Sequence, residues 1–145
     1  LVIIYFFSAS ILAQSDTAYL IKAKNAPSPT ERIELYTEAI KLCSPESAEL
    51  RQALIFRAFD KYSLEDFYGA ISDLTKAIEM EVKTSKVYPE NYIEYFVKEE
   101  DKMAYLLLGD SYAELYKKEK ACLSWSKAGE RGETDAYERI QRYCN

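Results

Sequence analysis

The chain of 145 residues carries 24 acidic residues against 19 lysines and arginines, which gives a formal net charge of -5. This acidic balance argues against nucleic acid as a partner, because nucleic-acid binding proteins present a clustered basic surface. The chain has no histidine, so any active site would lack the commonest general base and any metal site the commonest ligand.

The first thirteen residues, LVIIYFFSASILA, are apolar and carry no charge. A membrane span needs about 20 residues, so this stretch is short for one and resembles the apolar region of a secretory signal. In particular it resembles signals of the Bacteroidetes group, where an Ala-Gln junction such as Ala13-Gln14 is common. We predict a signal peptide over residues 1–13 and a mature domain over residues 14–145. The alternatives are a buried helix of the domain and the stump of a membrane anchor.

A cleaved signal implies a bacterial protein that is exported, either periplasmic or secreted, and that keeps no stable membrane span. No cysteine follows the apolar run, so the sequence does not support a lipoprotein anchor.

The first half of the domain shows helical spacing of apolar residues, with few glycines and prolines to interrupt it. We predict helices over residues 16–26, 29–43, 45–62 and 64–82. Ser28 and Glu31 form a capping box at the start of the second helix. Ser44 and the proline after it repeat this start signal for the third helix, and Ser63 can cap the fourth.

The helical pattern stops at residues 83–90 (KTSKVYPE), where Pro89 disfavours helix at the preceding residue. We predict further helices over residues 91–116, 118–128 and 135–143. Gly129 and Gly132 flank the last turn, and Thr134 can cap the last helix. The sequence therefore predicts an all-α domain of about seven helices in hairpin order.

Small residues recur at matching places in two of the predicted helix pairs. Ala70 and Ala77 are seven residues apart, as are Ala121 and Ala128. The full pattern consists of Ala58, Ala70, Leu74 and Ala77 in one unit, and of Tyr105, Gly109, Tyr112, Ala121, Trp125 and Ala128 in the next. This pattern resembles the tetratricopeptide repeat (TPR) over roughly residues 15–132. The resemblance implies an α-solenoid of about three antiparallel helix pairs with a C-terminal capping helix.

The chain departs from the repeat pattern in two ways. Arg57 and Lys61 in the middle unit, and Arg32 in the first, stand where the pattern has other residue types. The family repeats about every 34 residues, whereas Ala70 and Ala121 are 51 residues apart. The surplus falls between Val82 and Met103, so we predict an insertion near residues 83–100 that forms a loop and an N-terminal extension of the fifth helix.

The family resemblance also implies a binding groove, because such repeats bind peptides or proteins along the first helix of each pair. The implied groove residues are Gln52, Ile55, Phe59 and Tyr62 in the middle unit, and Met103, Leu106, Asp110, Ala113 and Glu114 in the last. They lack the Lys and Asn residues with which chaperone-binding members hold a C-terminal carboxylate. An apolar or basic segment of a partner fits better. The alternative is that Ile55, Phe59 and Leu106 are covered by neighbouring helices.

The insertion offers a second candidate interface through its aromatic residues, which are Tyr88, Tyr92, Tyr95 and Phe96. Aromatic residues often anchor interfaces. Alternatively they close over the groove or over the core of a helix pair.

The sequence shows no nucleophile motif, glycine-rich phosphate loop or metal-ligand spacing. The acidic run Glu99, Glu100 and Asp101 could bind a cation, but adjacent residues of a helix point in different directions, which favours a solvated face. We expect a non-catalytic protein-binding or peptide-binding scaffold of the cell envelope, without a cofactor. The alternatives are a small carboxylate-dependent hydrolase and a membrane-tethered subunit of an envelope complex.

Three cysteines are present, so at least one stays unpaired within the chain. If the last two helices are antiparallel, Cys122 and Cys144 lie at the same end of the pair. A disulfide is then geometrically possible, and the alternative is two half-buried thiols. Cys43 is expected to pack as a small apolar residue.

Overall fold

The computed structural model describes residues 15–80 and 90–145. It does not describe the side chains of residues 90–94 and of Phe96. This part of the chain forms seven α-helices and no strand, which confirms the all-α prediction for the described residues. The helices are α1 (Asp16–Asn25), α2 (Pro29–Leu42), α3 (Ala48–Ser63), α4 (Phe67–Glu79), α5 (Glu90–Glu114), α6 (Lys118–Glu130) and α7 (Asp135–Tyr143). The predicted signal peptide and the first part of the predicted insertion lie outside the described residues.

The starts of the helices follow capping chemistry, but two caps differ from the prediction. Ser28 accepts a hydrogen bond from the Glu31 amide at 3.2 Å, as predicted. The predicted cap at Ser44 is wrong: Ser47 accepts the amide of Leu50 at 3.1 Å and caps α3 instead. The Ser47 hydroxyl in turn donates to the Ser44 carbonyl at 2.9 Å. Ser44 therefore belongs to the turn that leads into α3.

The cap predicted for α4 is also wrong. Ser63 is the last residue of α3 and donates its hydroxyl to the carbonyl of Asp60 at 2.7 Å. Asp66 caps α4 by accepting the amide of Gly69 at 2.9 Å. Thr134 precedes α7 as predicted, but its side chain makes no capping hydrogen bond.

The turn before α7 is also shorter than predicted, because α6 continues to Glu130 and includes Gly129. Gly132 alone has a left-handed backbone there, with φ of 94°.

Each helix packs against the next one along the chain, and the side-chain contacts run in the antiparallel sense. In α5 and α6, for example, the ammonium of Lys120 lies over the ring of Tyr112, and that of Lys127 lies over Tyr105. A higher residue number on α6 thus meets a lower one on α5, as antiparallel neighbours require.

The helices α3, α5 and α7 are parallel neighbours. Arg51 pairs with Glu100 near the start of the α3–α5 contact, and Tyr62 interacts with Glu114 near its end. Contacts between α5 and α7 advance in the same way, from Asp110 with Arg139 to Ala113 with Tyr143. The molecule therefore presents the odd-numbered helices side by side.

The repeated alanines lie at the helix crossings. Ala58, Ala70, Ala77, Ala121 and Ala128 have no exposed surface, because a neighbouring helix covers each of them. At the α5–α6 crossing even a methyl group is too large. A Cβ atom on Gly109 would lie 2.4 Å from two atoms of the Trp125 ring.

Two of the three cysteines form a disulfide and the third is free. Cys122 and Cys144 form a disulfide that joins α6 to the end of α7, with Cα atoms 5.9 Å apart. Cys43 is free, half-buried and packed against the main core. Burial raises the pKa of its thiol to about 11, so Cys43 stays protonated near neutral pH and packs as a small apolar group.

Candidate partner-binding surface

The nine predicted groove residues divide by exposure. The apolar side chains of Phe59 and Met103 are 38% and 37% exposed. Glu114 is exposed, while Gln52 and Tyr62 are partly exposed. We call these five residues of α3 and α5 the α3–α5 surface.

The other four predicted groove residues are engaged within the fold. Ile55 is 2% exposed and belongs to the main core, so a neighbouring helix covers it. Leu106 and Ala113 pack against the cluster around Trp125. Asp110 accepts hydrogen bonds from Trp125 at 2.9 Å and from Arg139 at 2.7 Å.

Charge differs between the two ends of the α3–α5 surface. At one end, Lys24 of α1 donates to Gln52 at 3.3 Å and lies over the ring of Phe56. At the other end, burial and the negative charges of Asp110 and Glu114 raise the pKa of Tyr62. Arg139 largely neutralises Asp110, so Glu114 supplies the exposed negative charge at that end.

The candidate aromatic interface of the insertion is described only in part. Tyr95 lies on α5 and its side chain is exposed. Tyr88 and the side chains of Tyr92 and Phe96 lie outside the described residues.

The basic residues that depart from the repeat pattern form salt bridges between helices. Arg57 donates to both carboxylate oxygens of Asp73, at 2.8 and 2.7 Å, and Lys61 lies 2.8 Å from the same carboxylate. Arg32 of α2 donates in the same way to Asp60 of α3, at 2.9 and 3.1 Å. These departures thus hold neighbouring helices together.

The expected solvated face of the acidic run is wrong for two of its three residues. Glu100 and Asp101 pair with the guanidinium of Arg51, which is 1% exposed and also donates to the carbonyl of Ala77 at 2.6 Å. Burial raises the pKa of Glu100, and the charge of Arg51 opposes this shift. Glu99 pairs with Lys102 at 2.5 Å.

Arg51 was not among the predicted functional residues, although it shapes the α3–α5 contact. Its spacing from Leu54 and Ala58 places it on the buried face of α3, which is an unusual place for an arginine. That was the available signal, but the carboxylates that compensate the charge lie 49 and 50 residues away.

The more buried carboxylates of the described residues engage basic side chains. Every well-buried one is bound to an arginine or lysine, namely Asp60, Asp73, Glu100, Asp101 and Asp110. In the same part of the chain, no group of three or more cysteine or acidic side chains is placed to hold a metal ion. None of the described helices is both long and apolar enough to cross a membrane.

No family model, no curated protein and no solved structure matches this chain. The resemblance to the tetratricopeptide repeat therefore rests on the residue spacing given above.

Proposed function

We propose that this chain is a non-catalytic module that binds a peptide or protein segment on the α3–α5 surface. The observation that carries the proposal is the exposure of Phe59 and Met103 on adjacent parallel helices. Exposed apolar side chains on neighbouring helices form the kind of surface on which a partner segment packs. Both residues occupy positions that line the groove in tetratricopeptide repeats.

We propose a short tetratricopeptide-like solenoid as the architecture. Antiparallel neighbours with parallel odd-numbered helices are the arrangement by which stacked helix pairs form such an array. The last helix suits a capping role, because Glu138, Gln141 and Arg142 on its outer side are exposed and polar.

The charges of the surface indicate the chemistry of the ligand. Apolar side chains of a partner segment would pack on Phe59 and on Met103, and a basic group farther along the segment would meet Glu114. An apolar segment with a nearby lysine or arginine combines both features.

The structure gives the rival hydrolase interpretation little support. A carboxylate-dependent hydrolase needs an acid and a base that converge on a substrate. The well-buried carboxylates of the described residues are instead bound to basic side chains of neighbouring helices. Their positions suit a structural role.

A selection of displayed peptides against the purified mature domain tests the proposed surface. Selected peptides are measured by fluorescence anisotropy against Phe59→Asp/Met103→Asp and against a control, Leu42→Asp/Tyr68→Asp. The control places two acids at exposed apolar positions on α2 and α4. We expect the first variant to weaken binding by about tenfold or more and the control to leave it unchanged, with both helical by circular dichroism. Equal affinity for all three proteins would refute the surface.

We also propose that the chain is exported and acts in the cell envelope. The apolar leader and the disulfide between Cys122 and Cys144 support this, because disulfides persist in oxidising compartments. Mass spectrometry of the protein from the host's envelope fraction should find Gln14 at the N-terminus. Retention of the leader would favour the membrane-tethered alternative.

A further inference from the structure

Helices α3 and α4 form one hairpin, and α5 and α6 form the next. The second helices of these hairpins, α4 and α6, flank a cleft of about 360 Å³ whose floor is α5. Ile78 and Leu123 form apolar walls, and Tyr105 and Tyr112 contribute to the floor. We call this the α4–α6 cleft. The α3–α5 surface lies elsewhere, because it is built from the first helix of each hairpin.

Two lysines stand along the α6 side of the cleft. The ammonium of Lys120 lies 5.5 Å from the ring centre of Tyr112, and that of Lys127 lies 5.4 Å from the ring centre of Tyr105. Each ring attracts the cation weakly and limits its range of positions. Within the described residues, neither lysine forms a salt bridge with a carboxylate.

The distance between these two lysines can be matched by two side chains on a partner helix. They are seven residues apart on α6, which corresponds to two turns and a rise of about 10.5 Å. Glutamates seven residues apart on a second helix would repeat the same distance. Such a helix would carry its apolar side chains between the two carboxylates, opposite Leu123 and Ile78.

We propose that the α4–α6 cleft binds an acidic amphipathic helix of a partner protein. The partner's apolar stripe packs on Ile78 and Leu123, and two of its carboxylates meet Lys120 and Lys127. Charge complementarity carries the choice of an acidic partner, because Glu79 is the one acidic residue among the described residues that line the cleft. The site thus differs in position from the α3–α5 surface, and two lysines flank it where Glu114 supplies exposed negative charge on that surface.

Two designed peptides test the proposal on the full mature domain. One is a capped helical peptide with two glutamates seven residues apart and leucines between them on the same face. The other is identical except that lysines replace these glutamates. Binding is measured by fluorescence anisotropy against the wild type, Lys120→Glu/Lys127→Glu and a control, Lys76→Glu/Lys118→Glu. The control changes the net charge equally, at exposed lysines that do not line the cleft.

We expect the glutamate peptide to bind the wild type and the control equally, and Lys120→Glu/Lys127→Glu about tenfold more weakly or worse. The lysine peptide should show the opposite preference. Leu123→Ser should also weaken the glutamate peptide, and this exposed change is expected to leave the fold intact. Salt near 1 M should weaken the complex, because the Debye length is then about 3 Å. Phe59→Asp/Met103→Asp should have no effect, which separates this site from the α3–α5 surface.

Several results would overturn the proposal. These are equal affinity of the glutamate peptide for the wild type and Lys120→Glu/Lys127→Glu, an equal loss in the control, and no binding at about 100 µM peptide. Self-association of the wild type that Lys120→Glu/Lys127→Glu abolishes would place a second copy in the cleft and would equally refute the proposal.

Discussion

The α3–α4 and α5–α6 hairpins turn the chain in the same way. Glu65 and Tyr116, which are 51 residues apart, both have a left-handed backbone, with φ of 63° and 56°. After each of them one amide reaches back to the last turn of the preceding helix, from Asp66 to Lys61 and from Lys117 to Tyr112, both at 2.9 Å. This is the hydrogen bond with which many helices end at a left-handed residue.

The two hairpins nevertheless hold their helices together by different chemistry. In α3–α4, Asp73 binds Arg57 and Lys61 across the crossing. In α5–α6, the ring of Trp125 packs against Gly109. A shared backbone geometry thus accepts either a buried ionic cluster or an aromatic contact. Substitutions at equivalent positions of the two hairpins test whether the two solutions are equivalent in energy.

The largest effect is expected in the ionic hairpin. Asp73→Ala leaves the half-buried cations of Arg57 and Lys61 without their carboxylate. Removal of one partner of a buried ion pair is strongly destabilising, so we expect a loss of about 3 kcal/mol in the free energy of unfolding. Urea unfolding followed by circular dichroism measures it.

The matched position in the other hairpin provides the control. Ser124 lies 51 residues after Asp73 and donates its hydroxyl to the carbonyl of Lys120 within its own helix. Ser124→Ala removes no contact between helices, so we expect a change below about 1 kcal/mol. Similar losses in the two variants would show that the ionic cluster does not hold the first hairpin together.

The disulfide distinguishes the second hairpin from the first, because it joins α6 to α7. Its cysteines are 22 residues apart in sequence. Cys122→Ser/Cys144→Ser should lower the free energy of unfolding by about 2 to 3 kcal/mol, mainly because the unfolded chain gains freedom. The chain has one tryptophan, Trp125, which packs edge-on against Tyr143 of α7. Its fluorescence in a urea titration therefore reports on this junction.

The free cysteine supplies the control for that experiment. Cys43→Ser removes a half-buried thiol on α2's C-terminal side and should cost less than the double variant. An unfolding curve of Cys122→Ser/Cys144→Ser that matches the wild type would mean that noncovalent contacts alone hold α7.

A smaller loss is expected from Gly109→Ala in the aromatic hairpin. The new methyl group would lie 2.4 Å from two ring atoms of Trp125, so the ring must move. Overpacking of this kind costs about 1 to 3 kcal/mol, and the better helix propensity of alanine returns up to about 1 kcal/mol. We expect a net loss of about 1 to 2 kcal/mol in urea unfolding.

A second substitution shows whether the clash with Trp125 causes that loss. Gly109→Ala/Trp125→Leu reproduces the pair Ala58 and Leu74 of the first hairpin. In a double-mutant cycle read by circular dichroism, Gly109→Ala should cost at least about 1 kcal/mol less in the Trp125→Leu background than in the wild type. An equal cost in both backgrounds would attribute the loss to something other than the crossing.

These matched positions also show what the sequence could predict. The repeated alanines, Gly109 and the tryptophan indicated close crossings, because small residues at a fixed spacing carry that information without a partner being known. The helix starts at Ser44 and Ser63 were wrong since several serines and acids compete for each cap, and local sequence ranks them poorly.

The ionic contacts were beyond the sequence for a different reason. A buried arginine such as Arg51 is stable only with its carboxylates, and these stand on another helix. Which of the chain's 24 acids approach it depends on how α3 and α5 pack. Exposure on the α3–α5 surface also depends on how the helices pack. Ile55 and Phe59 lie one helical turn apart on α3, yet of these two only Phe59 keeps an exposed side chain.

The smallest effect concerns Arg51 on α3 and Lys102 on α5. These two cations occupy equivalent positions of the two hairpins, 51 residues apart. Arg51 meets Glu100, whose side chain is 14% exposed, whereas Lys102 meets Glu99, which is 40% exposed. Burial raises the pKa of Glu100 above its ordinary value of 4.5. The folded state therefore holds this proton more tightly than the unfolded state, and Glu100 favours folding most below pH 4.5. Its contribution is lost as the pH rises through the raised pKa.

Glu100→Gln removes this dependence, because the amide stays neutral and keeps its ability to accept a hydrogen bond from Arg51. The difference in unfolding free energy between Glu100→Gln and the wild type should move in favour of the variant as the pH rises from acid to neutral. Urea unfolding at a series of pH values measures this difference. A difference for Glu100→Gln that stays constant with pH, or that moves in favour of the wild type, would mean that Arg51 offsets the burial of Glu100 in full. The ionic contact between the hairpins would then carry no net cost at neutral pH.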